Sequence, residues 1–279
     1  MKKLGLIAGG GGLPVEIAEH CERSGRALFV VRLKGFAGAD LEPYAGAEVG
    51  LAELGKCFRL LRRAGCEAVC LAGNVARPDF SALVPDLRGL AALPGAIRAA
   101  TKGDDGLLRF LVREFEKEGF HVEGAHEVME DLTLPFGLLG ARGPSDQDRT
   151  DAERALEVAR AIGQLDIGQA AVVCRGLVLA VEAQEGTAAM LQRVADLPEA
   201  IRGRPGACAG VLAKAPKPIQ ETRVDMPTIG LATIQAAASI GLSGIVGEAG
   251  RLLVLDREAV IAAADELGLF ILGVEPAKP

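Results

Sequence analysis

GLIAGGGGLP, residues 5–14, places four consecutive glycines between a short apolar run and a segment with helical periodicity. We predict a strand at Leu4–Ala8 and a helix at Leu13–Ser24. The N-terminus of a helix that follows such a turn presents unpaired N–H groups and partial positive charge, so this unit is suited to binding an anion. Glycine lets phosphate oxygens approach the backbone closely, which makes Gly11 and Gly12 candidate phosphate-binding residues.

The glycine run departs from the G-x-G-x-x-G fingerprint of dinucleotide-binding proteins. Pro14 or Val15 stands where the third glycine is expected, and Arg32 ends the second predicted strand, where NAD binding calls for an acidic residue. The pattern therefore favours a phosphate or diphosphate ligand other than NAD. Two alternatives stay open: an NADP-dependent oxidoreductase in which Arg32 accepts the extra phosphate, and a tight turn that binds no ligand.

Length and composition indicate a globular α/β protein of two domains. The chain has 279 residues, of which 49% are hydrophobic and 4% aromatic. The net charge of −6 and the scattered basic residues disfavour nucleic-acid binding. The six cysteines lie mostly in apolar surroundings, which predicts reduced core residues in a cytosolic protein. No stretch approaches the roughly 20 apolar residues of a transmembrane span.

The order of predicted elements defines the domain organisation. Over residues 1–134 short apolar runs alternate with helical patterns, which predicts an N-terminal Rossmann-like domain with a parallel sheet and crossover helices. Residues 135–150 are rich in Gly, Pro and small polar residues and are predicted to be a linker. Residues 151–279 predict a C-terminal α/β domain whose topology the pattern does not define. The further predicted elements include strands at Ala27–Arg32, Ala68–Ala72, Phe120–Glu123 and Phe270–Val274, a hairpin about Arg175-Gly176, and helices at Leu54–Ala64, Leu107–Glu118, Asp151–Ile162, Gly186–Leu197, Ile229–Ile240 and Arg257–Leu267.

Further candidate binding residues follow the third strand of the N-terminal half. Ligands collect beyond the carboxyl ends of parallel strands, so Asn74 is expected on the same rim as the glycine run. Its amide could donate to a phosphate oxygen or could instead begin an Asx turn. Thr101 and Lys102 are candidate anion donors in AATKGDDG, residues 99–106. The adjacent Asp104 and Asp105 favour a helix cap over a Mg²⁺ site.

The stretch LAKAPKPIQETRVDMPTIG, residues 212–230, combines cations and carboxylates in a proline-bounded loop. Phosphoryl chemistry needs cations to offset charge on phosphorus oxygens and a carboxylate to place a metal or a water. Lys214 and Asp225 are the residues that we select from it. An exposed loop with incidental ion pairs is an equal alternative on charge composition alone.

Two more polar residues lie beside predicted strands of the second half. Thr187, in EAQEGTAAML at residues 182–191, could cap a helix or bind an anion at the helix start. Gln169 lies just before a strand in DIGQAAVV, residues 166–173, where it could contact a ligand or solvate a turn.

Together, GLIAGGGGLP, LAGNVARP, DIGQAAVV, LAVEAQEGT and above all KPIQETRVDMPTIG resemble the LpxI-type UDP-2,3-diacylglucosamine pyrophosphatases of the bacterial lipid A pathway. The resemblance spans nearly the whole chain, in order and at compatible spacing. One position departs from the family pattern: Ala188 stands where an Asp commonly follows EGT.

This resemblance implies hydrolysis of a lipid-linked UDP-sugar to UMP and 2,3-diacylglucosamine 1-phosphate, with Mg²⁺ or another divalent cation. It implies that Asp225 is the catalytic aspartate, placing the metal or the water, and that substrate binds between the two domains. We therefore expect substrate contacts from the glycine run and from Lys214 together with the set Asn74, Thr101, Lys102, Gln169 and Thr187. With Asp225 and Lys214 assigned to the C-terminal domain, domain closure would assemble the catalytic set.

The resemblance also implies a cytoplasmic location. Peripheral contact with the inner face of the inner membrane follows from the lipid substrate alone, since no amphipathic segment of the sequence demands it. Base rates alone favour a homodimer. A nonenzymatic sugar-nucleotide or lipid-binding protein is the alternative from a different functional class.

Overall fold

The computed structural model describes residues 1–76, 79–101, 103–218 and 220–277. They form two compact units. The N-terminal unit comprises Met1–Glu130 together with Glu221–Asp225, and the C-terminal unit comprises Asp131–Gln220 and Met226–Pro279. A five-residue segment late in the sequence therefore belongs to the N-terminal unit. Asp225, which the sequence analysis assigned to the C-terminal domain of residues 151–279, therefore packs with the N-terminal unit.

The N-terminal unit is built on a five-stranded, fully parallel sheet. Its order is β3-β2-β1-β4-β5. The strands are β1 (Leu4–Ala8), β2 (Leu28–Leu33), β3 (Gly46–Val49), β4 (Ala68–Ala72) and β5 (His121–Val122). This order confirms the predicted Rossmann-like sheet. Strand order reverses between β1 and β4, and the carboxyl ends of these two strands form the crevice where such sheets bind ligands.

Helices cover the sheet of the N-terminal unit. They are α1 (Leu13–Ser24), α2 (Leu54–Arg63), α3 (Leu87–Ala100), α4 (Asp104–Lys117) and α5 (Ala125–Val128), with 3-10 turns at Ala39–Leu41 and Glu130–Leu132. Three aromatic rings anchor the core beneath α2 and α4: Phe58 meets Phe115 edge-on at 5.2 Å, and Phe120 packs against both. Val224 packs against the same core. The late segment is thus held partly by apolar burial.

One carboxylate joins the N-termini of α2 and α3. Asp86, the N-cap of α3, accepts hydrogen bonds from the backbone N–H groups of Gly89 at 2.8 Å, Lys56 at 2.7 Å and Gly55 at 3.2 Å. Burial raises the pKa of Asp86, but these donors and the nearby Arg59 outweigh that effect and hold the pKa below its usual value. Two helix dipoles therefore share one negative charge.

The C-terminal unit has a mixed six-stranded sheet of order β6-β13-β11-β9-β7-β8, and a short parallel pair β10-β12. Strands β13, β11 and β9 run parallel, while β6, β7 and β8 join antiparallel. The strands are β6 (Gly137–Leu138), β7 (Ala170–Cys174), β8 (Leu177–Val181), β9 (Val211–Lys214), β10 (Thr228–Ile229), β11 (Gly244–Glu248), β12 (Leu253–Val254) and β13 (Phe270–Val274). The helices are α6 (Asp146–Gln164), α7 (Gly186–Ala195), α8 (Leu231–Ser239) and α9 (Arg257–Leu267).

Two predictions about chain organisation differ from the structure. The predicted linker, residues 135–150, contains β6 and the first turn of α6, so it forms part of the C-terminal unit and is not a separate connection. Ser145 caps α6 by accepting from the Asp148 N–H, which starts this helix five residues earlier than predicted. Strand β3 was not predicted.

The cysteines fit the predicted core role with one exception. Cys21, Cys57, Cys66, Cys70 and Cys174 are buried, and Cys208 is exposed. Burial raises the pKa of the Cys57 and Cys70 thiols to about 12, so both are protonated at neutral pH. Within the described ranges, no helix is long and apolar enough to cross a membrane.

We predict that Asp86→Ala lowers the free energy of unfolding by about 1–2 kcal/mol at neutral pH, because it removes a cap shared by two helices. The lowered pKa means that this contribution is present above the ordinary pKa of an aspartate and is lost as the pH falls through the folded-state value. Denaturant titrations of wild type and variant should therefore converge in acid. Glu153→Ala, which removes an exposed carboxylate, serves as the control; equal stability of Asp86→Ala and wild type at neutral pH would contradict the shared cap.

Candidate active site

The glycine run after β1 is locked to the residue after β4. Gly10 and Asn74 exchange backbone hydrogen bonds of 2.9 and 2.8 Å, and the Gly9 N–H donates to the carbonyl of Ala72 at 2.8 Å. A Cβ on Gly9 would lie 2.8 Å from the Asn74 carbonyl oxygen, and Gly11 has a φ of +88°. Backbone packing and conformation thus require glycine at positions 9 and 11 before any ligand is considered.

The same loop forms the start of α1 at the sheet crevice. Gly12 is the N-cap of α1 and makes no side-chain cap hydrogen bond. The Asn74 amide nitrogen Nδ2 lies 3.5 Å from the position of a Cβ on Gly11. The structure therefore brings Gly11, Gly12 and Asn74 together at the edge where strand order reverses, with a helix N-terminus able to receive an anion.

Arg32 has a structural role in this unit. Its Nη1 donates to the carbonyl oxygens of Leu41 at 3.1 Å and Tyr44 at 3.3 Å. The guanidinium holds the loop between β2 and β3, which accounts for an arginine at the end of β2. This role removes the main residue-level argument for an NADP phosphate at that place.

A largely apolar cavity of about 380 Å³ lies within the N-terminal unit. Its wall combines the ends of β1 and β4, the loop before α2, the inner faces of α3 and α4, and the late segment. Apolar lining residues include Ile7, Leu33, Leu71, Phe80, Ala92, Leu93, Ala96, Leu107, Leu108, Phe110 and Leu111. Polar groups are few; among them are Glu53, Asn74 and Asp225. A carboxylate and an amide thus share the wall of an otherwise apolar cavity.

Asp225 reaches this cavity because its segment is fastened to α4. The backbone N–H of Glu221 donates to Asp105 Oδ1 at 2.7 Å. Arg223 donates to both carboxylate oxygens of Glu221, at 2.8 and 3.0 Å, and to Glu116 at 2.8 Å. The N–H groups of residues 224 and 225 both donate to the Glu221 carbonyl, at 2.9 and 3.0 Å, closing a tight turn.

The ion pair within residues 221–225 favours the charged forms of Glu221 and Arg223. The hydrogen bond from Arg223, followed by its positive charge, lowers the pKa of Glu221 against the opposing effect of burial. The pKa of Arg223 is raised in return. Asp105 also pairs with Arg109 at 2.7 Å. The predicted cap role of Asp105 is wrong, since Gly103 is the N-cap of α4 and the Asp105 carboxylate serves the Glu221 N–H.

A second polar cluster lies in the C-terminal unit around Lys214, at the end of β9. The Lys214 side chain is buried and its Nζ donates to Thr187 Oγ1 at 2.9 Å and to the Thr228 carbonyl at 3.0 Å. Thr187 donates in turn to Glu182 Oε1 at 2.5 Å. The other Glu182 oxygen accepts from the Gln169 N–H at 3.1 Å. Three residues predicted separately, Gln169, Thr187 and Lys214, are therefore one hydrogen-bonded group.

Glu182 is the member of this group that sequence reasoning missed. It is buried at the end of β8, and its two oxygens connect the strand entry at Gln169 with the Thr187 hydroxyl. The Thr187 hydroxyl has one hydrogen, which it donates to Glu182. A lone pair of the hydroxyl oxygen therefore faces the Lys214 ammonium. A buried carboxylate thus fixes the direction of the lysine through one threonine.

Other polar residues of the candidate stretches have local roles. Lys217, a further cation of the stretch 212–230, forms an ion pair with Asp166 at 2.7 Å. Thr101 is the C-cap of α3, is exposed, and donates its hydroxyl to the Arg98 carbonyl at 2.8 Å. Lys102 lies outside the described residues.

A resident metal ion would need several carboxylates, histidines or cysteines around one point. In the described parts of the chain, no three or more of these side chains converge on a point where they could hold an ion. Asp225 alone is not a protein cage for Mg²⁺. Mg²⁺ commonly keeps several waters and binds through one or two carboxylates plus substrate phosphates, an arrangement that needs no such cage.

These features define the class: a two-domain α/β protein with a Rossmann-like parallel sheet, a glycine-rich helix N-terminus at the crevice of that sheet, and an apolar cavity with a carboxylate in its wall. Comparison with known protein families identifies the family to which the chain belongs. The family model of the LpxI N-terminal domain matches residues 3–132, and that of the LpxI C-terminal domain matches residues 135–272. The chain belongs to the LpxI family, which confirms the resemblance seen in the sequence.

The chain is similar to one curated relative and, far more weakly, to one solved structure. The UDP-2,3-diacylglucosamine pyrophosphatase LpxI of Caulobacter vibrioides is 69% identical over 276 residues, covering 99% of this chain and 99% of the relative. Among solved structures, CobK precorrin-6A reductase aligns with 100% of this chain and 90% of its own, at 15% identity and a TM-score of 0.34. The second similarity is too weak to carry an argument.

We predict that Asp105→Ala frees the Glu221–Asp225 segment. A hydrogen bond to a charged acceptor contributes roughly 1.5 kcal/mol, so the amides of this segment should exchange with solvent about tenfold faster, as measured by hydrogen–deuterium exchange. Glu116→Gln, which removes only the outer partner of Arg223, should have a smaller effect, and Glu153→Ala none. Unchanged exchange in Asp105→Ala would show that Asp105 does not hold the segment.

Proposed function

We propose that this protein hydrolyses the diphosphate of UDP-2,3-diacylglucosamine to UMP and 2,3-diacylglucosamine 1-phosphate, in the cytoplasm and with a divalent cation such as Mg²⁺. The observation that carries the proposal is the apolar cavity with Asn74 and Asp225 in its wall. The 69% identity to a relative named for this activity supports the same substrate.

The cavity supports a lipid substrate by its size and chemistry. Ligand cavities span roughly 300–1,000 Å³ and are mostly apolar with a few placed polar groups. Each methylene group transferred from water into such a cavity contributes about 0.8 kcal/mol. We assign the acyl part of the substrate to the wall formed by α3 and α4.

The rim above the cavity supports a diphosphate. The backbone N–H groups of Gly11 and Gly12, just before α1, can donate to phosphate oxygens, and Asn74 Nδ2 offers a further donor next to them. Within the first turn of α1, Pro14 has no N–H, and the Val15 N–H already donates to the Gly12 carbonyl. In the C-terminal unit, the Lys214 group supplies a cation, the Lys214 ammonium, whose direction Glu182 fixes through the Thr187 hydroxyl. We assign phosphate oxygens to this group as well, because a compact ammonium suits a point contact with a phosphate.

Asp225 is the residue that we assign to the chemistry. In the proposed reaction a water oxygen attacks one phosphorus, the bridging phosphorus–oxygen bond breaks, and the bridging oxygen leaves with the other phosphate. The carboxylate can accept a hydrogen bond from the attacking water and so orient its lone pair. The apolar surroundings strengthen this interaction and limit access of other waters.

We propose that a divalent cation binds together with the diphosphate of the substrate. When bound, such an ion offsets negative charge on the phosphoryl oxygens. The Asp225 carboxylate is the group in the cavity wall to which we assign contact with it.

We predict that Asp225→Ala folds as wild type but loses at least ~100-fold in kcat, as expected for an interaction made in the transition state. Hydrolysis of detergent-dispersed UDP-2,3-diacylglucosamine, followed by UMP release, measures this loss. Asp40→Ala, at an exposed aspartate of the same unit, is the control. Near-full activity of the Asp225 variant would refute the assignment, and captured substrate without turnover in wild type would favour the binding-protein alternative.

We predict that Ala96→Phe, which fills the cavity from α3, lowers kcat/KM about tenfold for long acyl chains, because about two methylenes lose their burial. Substrates with acetyl groups in place of long chains should be affected little. Ala91→Phe adds the same ring to the exposed face of the same helix and should leave kcat/KM unchanged. An effect that does not depend on acyl length would contradict the placement of the acyl chains.

A further inference from the structure

The outer face of α3 exposes large apolar side chains to solvent. Leu87 is 90% exposed, Leu90 57% and Ile97 43%, and Val84, just before the helix, is 84% exposed. The spacing of Leu87, Leu90 and Ile97 places them along one side of the helix, and Val84 precedes the helix in the chain. We call these four residues the α3 stripe. Several exposed large apolar residues on one side of a helix mark an interaction site more often than a single scattered one does.

The polarity of α3 is the reverse of that in an ordinary surface helix. Its small residues face inward: a Cβ on Gly89 would lie 1.8 Å from the Ala52 carbonyl oxygen, and one on Gly95 would lie 2.7 Å from the Phe110 ring. Ala92 and Ala96 line the cavity. Leu87, Leu90 and Ile97 face outward, where a surface helix normally has polar residues, whereas Leu93 lines the cavity. A helix that is apolar on both sides calls for an apolar partner on its outer side.

The basic residues of α2 and α3 indicate an anionic partner for the α3 stripe. Helices α2 and α3 contain six basic residues, Lys56, Arg59, Arg62, Arg63, Arg88 and Arg98, and no acidic residue. Three of them form ion pairs with glutamates outside these helices: Lys56 with Glu53, Arg62 with Glu118, and Arg88 with Glu114 and Glu118. Asp86 fastens the N-termini of the two helices together. Arg59, Arg63 and Arg98 are exposed. Arg98 follows Ile97 on α3, whereas Arg59 and Arg63 are on α2, which contacts α3. An apolar stripe with exposed arginines on its own helix and on the adjacent one has the composition of a helix that lies in the interface of an anionic bilayer.

We propose that the α3 stripe docks on an anionic lipid bilayer, with the apolar side chains in the acyl region and the exposed arginines at the headgroups. The inference rests on the proposed function, because the inner side of the same helix walls the cavity assigned to the acyl chains. One helix diameter, about 10 Å, then separates the bilayer from that cavity. A lipid substrate can pass from the bilayer to the cavity beside α3 without full exposure to water.

The test measures binding to vesicles of phosphatidylcholine with 30% phosphatidylglycerol, and to vesicles of phosphatidylcholine alone, by flotation. Wild type is expected to bind the anionic vesicles at least ~10-fold more tightly than the neutral ones, and less tightly in high salt. The double variant Leu87→Glu/Leu90→Glu should lose at least ~10-fold in binding to anionic vesicles. Leu177→Glu/Val178→Glu, on the exposed strand β8 of the C-terminal unit, should bind as wild type.

A second measurement uses the absence of tryptophan from this chain. In Leu90→Trp the indole emission should shift to shorter wavelength on addition of anionic vesicles, whereas Leu177→Trp should show no shift. Hydrolysis of detergent-dispersed substrate should be the same in wild type and in the Leu87→Glu/Leu90→Glu variant, since neither residue lines the cavity.

Three outcomes would overturn the docking: no wild-type binding to anionic vesicles, equal binding by the α3 variant, or a change in molar mass of that variant by light scattering with vesicle binding intact. The last would identify the stripe as a contact between copies of the chain. Failure of the proposed function is distinguishable, because wild type would then bind vesicles through α3 and yet leave dispersed substrate intact.

Discussion

The hydrogen bond from the Glu221 N–H to the Asp105 carboxylate is the constraint on which the candidate site depends. It joins residues 116 positions apart and places a segment from late in the sequence on α4 of the N-terminal unit. The bidentate Arg223–Glu221 pair and the Arg223–Glu116 pair hold the same turn from its other side. Because the turn is fixed, Asp225 shares a cavity wall with Asn74, and the carboxylate and the glycine-loop rim belong to one unit.

The sequence predicted the regular parts of this architecture. Apolar runs alternating with helical patterns define the parallel sheet, and β1, α1 and β4 have the predicted bounds because glycines end the strands and the helix sharply. Strand β3, with the sequence GAEV, was missed because glycine and glutamate break the apolar run, and its pairing with β2 compensates for weak local preference. The hairpin about Arg175-Gly176 was predicted, and positive φ at both residues agrees with a tight turn.

The sequence predicted many of the residues of the candidate site, but it predicted few of the contacts between them. Asn74 beside the glycine run follows from the topology of parallel strands, which is a local rule. The packing of residues 221–225 with the N-terminal unit rests on one long-range hydrogen bond, on ion pairs and on the burial of Val224. No periodicity in the sequence indicates these contacts. Glu182 is similar: its role depends on two partners, the Gln169 N–H and the Thr187 hydroxyl, which come from different parts of the chain. A carboxylate at a strand end gives no signal that it is buried. The α3 stripe could be recognised only from the structure, because the sequence LRGLAALPGAIRAA does not show which apolar residues face the cavity and which face solvent.

The central claim is that acyl chains occupy the cavity of the N-terminal unit beside Asp225. Photoaffinity labelling with a UDP-2,3-diacylglucosamine analogue that carries a diazirine near the end of an acyl chain, with the labelled peptides identified by mass spectrometry, tests this claim most directly. The account predicts labelling within residues 87–111, in α3 and α4, that unlabelled substrate suppresses. Labelling confined to peptides of the C-terminal unit, with residues 87–111 unmodified, would contradict it.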